Sequence, residues 1–170
     1  WIQEVLAHQP LGYGYTNGSP ELRLEIAGLY SGAGPEHVLV TAGTAEANFL
    51  VAWALLGPGD EAVVMLPNYM QLPQLARAWT GAAQEWWLRP EPNDRHLHPA
   101  GRWLADPDDL VRLVTPRTKV VQVSHVTCTT GQLFPVKRIA HALQGGDIWL
   151  HVDGAQAAGM IPLDLHSLGC

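Results

Sequence analysis

The run Ile148-Trp-Leu-His-Val-Asp153-Gly-Ala-Gln156 holds the residues of this sequence best suited to chemistry. Mostly apolar residues with a β-branched start predict a buried strand, which then delivers an acid, a small-residue turn and an amide side chain. In an open α/β sheet, ligands sit just beyond the carboxyl ends of the strands, so Asp153 falls where a ligand would be. A carboxylate partly withdrawn from water there is unfavourable unless a positive or protonated group meets it. Taken alone, such an acid could equally cap the turn that follows. What decides between the two is the company it keeps at other strand ends.

Three other stretches supply such company. Gly43, Thr44 and Ala45 follow a predicted first strand, 38–42, and open an apolar helix, 45–56. Helix-start amides at a junction of small residues form an anion site, worth about 1 kcal/mol per charge where exposed; a plain threonine cap is the alternative. Tyr69 follows a second strand, 61–66, through Pro67-Asn68, and its ring could lie against a flat heterocycle or simply pack at the rim. The loop Thr127-Cys128-Thr129-Thr130-Gly131 follows the strand at 119–123 and is rich in hydroxyls. An anion cradle, an aromatic plate, a hydroxyl loop and an acid would then face one cavity.

The elements that must position these residues alternate along the chain. Residues 1–9 read as the tail of a helix stopped by Pro10 and Gly12, followed by a turn-rich loop holding Tyr13. Gly12-x-Gly14 is no dinucleotide fingerprint, because no strand precedes it and the third glycine is misplaced. A helix is predicted from Pro20, capped by Ser19, with Leu22, Ile26, Leu29 and Tyr30 on one face. Further helices are predicted at 70–80, from Asp106, and at 136–144, with an edge strand at 83–88 and a polar loop at 89–103. His96 and His98 in that loop have no third ligand nearby, so no metal site is expected. Strand–helix alternation predicts a three-layer α/β/α sandwich with a mainly parallel sheet.

The 170 residues are 47% hydrophobic and 15% charged, with a formal net charge of −6. That balance, without a basic run, points away from nucleic acid and membrane surfaces. No apolar run approaches a bilayer span. Two cysteines, Cys128 and Cys170, are too few for a disulfide framework, so a reducing, cytoplasmic setting is expected. The chain begins at Trp1 in mid-pattern and stops at Cys170 without a closing element, which suggests a piece of a longer protein.

In their order and spacing these motifs resemble the large domain of the fold-type I pyridoxal 5′-phosphate (PLP) enzymes, the aspartate aminotransferase superfamily, over nearly all of 1–170. Tyr13-x-x-x-x-Gly18-x-x-Glu21-Leu-Arg23, Val38-Leu-Val-Thr-Ala-Gly-Thr-Ala-Glu-Ala47 and Leu56-Gly-Pro-Gly-Asp-Glu61 resemble class I/II aminotransferases. Ser124-His-Val126, Thr130-Gly131 and Val152-Asp-Gly-Ala-Gln156 resemble class V, the cysteine desulfurase and epimerase-like group. The resemblance implies PLP as cofactor, with Asp153 keeping its pyridinium nitrogen protonated and Gln156 reaching its phenolic oxygen. It also implies that Gly43, Thr44 and Ala45 hold the phosphate, that Tyr69 stacks on the ring, and that Tyr13 reaches the phosphate of a neighbouring subunit in a homodimer. Cys128 and Thr130 fall in the loop that contacts cofactor or substrate, Cys128 where the family has an asparagine.

The implied activity is amino-group transfer between an amino acid and a 2-oxo acid. A class V reaction (desulfuration, lyase chemistry or epimerisation) is the enzymatic alternative, and a degenerate, non-catalytic binding or dimerisation module the other. Lys119 and Lys137 do not match the family's cofactor-binding lysine, which is expected beyond Cys170, together with the small domain. This stretch alone is therefore expected to be inactive.

Overall fold

The structure, a computed structural model, describes residues 2–8, 12–91 and 102–170. Trp1, the Pro10 helix stop and the loop histidines His96 and His98 lie outside the described residues. Residues 1–41 and 42–170 form two compact units.

In the first unit, helix α1 (Ile2–His8) precedes α2 (Pro20–Ala27). Helix α2 starts as its sequence predicts: Pro20 opens it, and the Ser19 hydroxyl accepts a hydrogen bond from the Leu22 amide at 3.2 Å. Its apolar face is not buried, since Leu22, Leu24 and Leu29 are exposed and only Ala27 is enclosed. The Arg23 guanidinium ties the helix down, donating from Nε to the Val38 carbonyl at 2.9 Å and from Nη2 to the Pro35 carbonyl. Residues 38–42 do not form the predicted strand. The β-branched run there is extended where measured at Val38, but a strand needs a ladder partner. The backbone of this run meets another segment through a bond from the Val40 amide to the Asn17 carbonyl at 3.1 Å. Gly18, at φ +94°, lets the chain pass there, because any Cβ would collide with the Val40 side chain.

The second unit opens with helix α3 (Thr44–Leu55) and then alternates as expected. Strand β1 (Glu61–Leu66) leads to α4 (Gln71–Thr80) and β2 (Gln84–Trp87). A short antiparallel ribbon, β3 (Arg89–Pro90) with β4 (Trp103–Leu104), occupies the ends of what the sequence reads as a loop. Helix α5 (Pro107–Val111) follows, with the Asp106 carboxylate accepting from the Asp108 amide as its cap. Strand β5 (Thr118–Ser124), helix α6 (Val136–Ala142), strand β6 (Trp149–Asp153) and a helical turn, α7 (Leu165–Leu168), complete the order.

The four strands of the main sheet lie in the order β2-β1-β5-β6, all parallel. Side chains alternate between its faces. Val63, Met65, Val121 and Val123 meet Leu110, Val136 and Ile139 on one face, while Ala62, Val64 and Val120 meet Leu72 and Ala76 on the other. Both central strands are thus covered on both sides, the condition a parallel sheet requires. Strand β2 is an edge, as its sequence predicts. Among the described residues, strand β6, predicted to be buried, pairs with β5, and Trp149 at its start is 62% exposed while Asp153 at its end is 8% exposed.

The chain passes from β1 outward to β2, then returns to the opposite side of β1 for β5. Connections from β1 and β5 therefore diverge to opposite faces, which opens a crevice beyond their carboxyl ends.

Candidate cofactor site

That crevice holds a cavity of about 350 Å³, lined by Thr44 and Ala45, by Asn68 and Tyr69 after β1, by Ser124, Val126 and Cys128 at the end of β5, and by Asp153, Ala155 and Gln156 after β6. All lie in the second unit.

Asp153 sits at the last position of β6 and is 8% exposed. One carboxylate oxygen, Oδ1, accepts from the Ala155 amide at 2.9 Å, so the acid does cap its own turn. The other, Oδ2, accepts from Asn48 Nδ2 at 3.3 Å. Asn48 is the one buried residue of α3 and reaches the acid from 105 positions away. Beside it, Gln71 Nε2 donates to the Ala45 carbonyl at 2.8 Å. Gln71 and Asn48 thereby connect the first turn of α3 with the carboxylate, and hold both ends of the cavity in one frame. The acid thus caps its own turn and also lies in the cavity lining.

Helix α3 begins on Gly43, whose φ of +114° and ψ of 169° belong to a region that side-chain-bearing residues essentially never enter. No side chain caps this helix start, so Thr44 is the first helical residue rather than a threonine cap. The amides of Glu46 and Ala47 both reach the Gly43 carbonyl at 3.2 Å, whereas those of Thr44 and Ala45 have no acceptor within the helix. Replacing Gly43 with alanine is expected to destabilise the protein by about 1–3 kcal/mol through backbone strain. It should also weaken binding of phosphate-bearing ligands, which calorimetric titration of the full-length protein would measure against its melting temperature.

Tyr69 is half exposed, with its amide held by Asn68 Oδ1 at 2.8 Å. Cys128 and Gln156 are exposed on the cavity wall. Gly43 supports the site as the residue before α3 rather than as part of the lining. Thr130 is not in the lining: its hydroxyl lies 2.7 Å from that of Thr127, which closes the 127–131 loop on itself. Tyr13 belongs to the first unit and is fully exposed. Lys119 pairs with Asp147 at 3.0 Å near the amino end of β5, and Lys137 lies on α6, so neither lines the cavity. Asn48, Asn68 and Ala155 were not singled out from the sequence. A lone asparagine inside the apolar run 45–56 was a usable signal for the first; the other two carried none.

Behind Asp153, His151 lies on the same face of β6, two residues back. The Gln122 side-chain amide lies 2.9 Å from His151 Nδ1, within hydrogen-bond distance. Burial pushes the pKa of His151 below its ordinary 6.5, with Asp153 opposing part of that shift, and burial acts in the same direction on His125. The unfolded chain therefore binds these protons more readily than the fold does. Stability is full above pH 6.5 and is lost as the pH falls below it. Melting temperatures taken from pH 7.5 to 5 should decline less steeply in His151→Gln, with the remaining slope left by His125.

These residues fit the cofactor that the sequence resemblance implies. The volume is at the lower end of the ~300–1,000 Å³ usual for small-molecule sites. A buried carboxylate stands on one wall and helix-start amides with no acceptor within the helix on another, and Asn68 Nδ2 is a buried donor without a partner among the described residues. A ring carrying a protonated nitrogen and an anionic phosphate matches that set of groups.

The profile of the family described as aminotransferase class-V matches residues 10–170. An aspartate/prephenate aminotransferase of Thermus thermophilus is 31% identical over 146 residues, 83% of this chain and 35% of that protein. A protein of Halalkalibacterium halodurans named "Probable cysteine desulfurase" is 31% identical over 169 residues, 94% of this chain and 39% of that protein. Among solved structures, a PLP-dependent aminotransferase from Streptococcus suis 89-1591 superposes with a TM-score of 0.75 at 26% identity, over 89% of this chain and 39% of that one. The chain spans less than two-fifths of the length of each of these relatives.

Proposed function

The chain belongs to the class-V aminotransferase family, and from that premise we propose that it is the cofactor-holding large domain of a PLP-dependent aminotransferase. The reaction is amino-group transfer between an amino acid and a 2-oxo acid. One observation carries the proposal: a buried acid, a helix start with open amides and an aromatic ring line the same ring-sized cavity.

Pyridoxal 5′-phosphate, when bound, supplies an electron sink for the pair left at the substrate α-carbon. Asp153 holds a proton on the ring nitrogen, which is what makes the ring electron-withdrawing. Asn48 and the Ala155 amide fix the orientation of that carboxylate. Thr44 and Ala45 bind the phosphate through their amides and the positive end of α3. Tyr69 covers the ring and excludes water from one face, and Gln156 donates to the phenolic oxygen. The covalent attachment of the cofactor falls to a lysine outside 1–170. The working form is a cytoplasmic homodimer in which Tyr13 reaches the neighbouring subunit's phosphate; the exposure of Tyr13 and the two free cysteines support this.

The test uses the full-length protein. PLP added to the apoprotein should give visible absorbance, and an added amino acid should then be converted to its 2-oxo acid, about one equivalent per site. Failure to bind PLP would overturn the proposal in favour of a non-catalytic module. The match to the named desulfurase, which covers more of this chain than the aminotransferase match does, favours a second reading. Conversion of cysteine to alanine without 2-oxo acid formation, with the sulfur released as sulfide only when an added thiol reductant supplies the two electrons, would decide for it.

A further inference from the structure

We propose that Asn68 is a ligand-holding residue of this cavity, its Nδ2–H donating to an anionic oxygen of the bound cofactor or amino acid. The inference rests on the function proposed above. Asn68 follows β1 by two positions and is 8% exposed. Its Oδ1 accepts twice, from the Tyr69 amide at 2.8 Å and from the Ser124 hydroxyl at 2.9 Å. A backbone amide can only donate, so the Tyr69 contact settles which end of the side chain is oxygen. Nδ2 is then left buried with no partner among the described residues.

A buried amide donor without an acceptor is rare in folded proteins, and natural ones call for an explanation. Here the residue lines the cavity, and no nearby acceptor has been spent on it. The other side-chain amide beside the acid, Asn48 Nδ2, is already committed to Asp153, as is the Ala155 amide. Cys128, across the lining, offers only a thiol, a weak donor. Asn68 is therefore equipped to take an oxygen acceptor and ill suited to an ammonium group. Two oxygens of the proposed chemistry qualify: the phenolate of the cofactor and the carboxylate of the amino acid.

The informative variant is Asn68→Asp in the full-length protein, because it keeps an acceptor for Tyr69 and Ser124 while turning the donor into a second acceptor. Apoprotein titrated with PLP and with its 3-deoxy analogue, and holoprotein titrated with an amino acid and with the corresponding amine, separate the two sources. A loss of roughly 10-fold or more in PLP affinity, absent with the 3-deoxy analogue, assigns the phenolate. Unchanged cofactor affinity with a similar loss for the amino acid, absent with the amine, assigns the carboxylate. Affinities for all four within twofold of wild type overturn the inference while leaving PLP binding, and so the proposed function, intact. Wild-type protein that binds no PLP overturns both. Should Asn68→Asp fail to fold, a crystal structure of the wild-type holoprotein decides: a ligand oxygen within about 3.2 Å of Nδ2 supports the inference, and a water or an empty space there overturns it.

Discussion

Asp153→Ala is expected to abolish amino-group transfer by the full-length protein while leaving its fold in place. The carboxylate stands at the carboxyl end of β6, bonded to Asn48 and to the Ala155 amide, and takes part in no ion pair among the described residues. Removing it takes no apolar contact from either core face. In the proposed role, what is lost is the negative charge that would keep a proton on the ring nitrogen of bound PLP, and with it the electron sink. Removing a single preorganised group of this electrostatic kind typically lowers kcat about 10²–10³-fold, and loss of a full charge should reach at least the upper figure. Asp153→Asn separates charge from shape, since it keeps the volume and can keep the bond from the Ala155 amide. Single-turnover conversion of an amino acid to its 2-oxo acid, measured beside far-ultraviolet circular dichroism, checks both halves. Retained turnover in Asp153→Asn would contradict the proposed role.

Trp86→Ala is the substitution expected to cost most stability. Trp86 pairs with Met65 across the β1–β2 ladder and is 2% exposed, the largest fully buried side chain among the described residues. Its neighbour Trp87, on the other side of the pleat, is 60% exposed. The two tryptophans are indistinguishable in composition, and the register alone sends one into the core beside Met65, Leu88 and Leu110. Truncating a buried aromatic of this size typically costs about 3–5 kcal/mol, from lost transfer energy and the cavity left behind. Against a total stability of about 5–15 kcal/mol, that is a large share. Equilibrium denaturation at matched protein concentration should show the loss for Trp86→Ala and a change within about 0.5 kcal/mol for Trp87→Ala. Equal effects of the two would mean that the β1–β2 register differs from the one described.

The run of elements from 44 to 153 was legible because each carries its own local pattern. Glu61–Leu66 is a largely apolar run between turn signals, Thr118–Ser124 is built on Val120, Val121 and Val123, and Asp106-Pro-Asp-Asp109 is a complete helix start, as is Ser19-Pro20 outside that run. The expected strand at 38–42 failed for the opposite reason. Its residues favour an extended chain, but a strand exists only where a partner offers a ladder, and no local pattern encodes that.

From the amino-acid sequence alone came the parallel α/β order, the identity of the acid at position 153, and the small-residue turn before α3, since each is written in a few consecutive residues. Only the tertiary structure decided which groups meet. Asn48 lies 105 positions from the carboxylate it holds, and Asn68 lies 56 from the serine it clamps. Such pairs are set by strand order and by the divergence of connections between β1 and β5, where distance along the chain says nothing about distance in space. The same packing left Asn68 Nδ2 buried with no partner among the described residues.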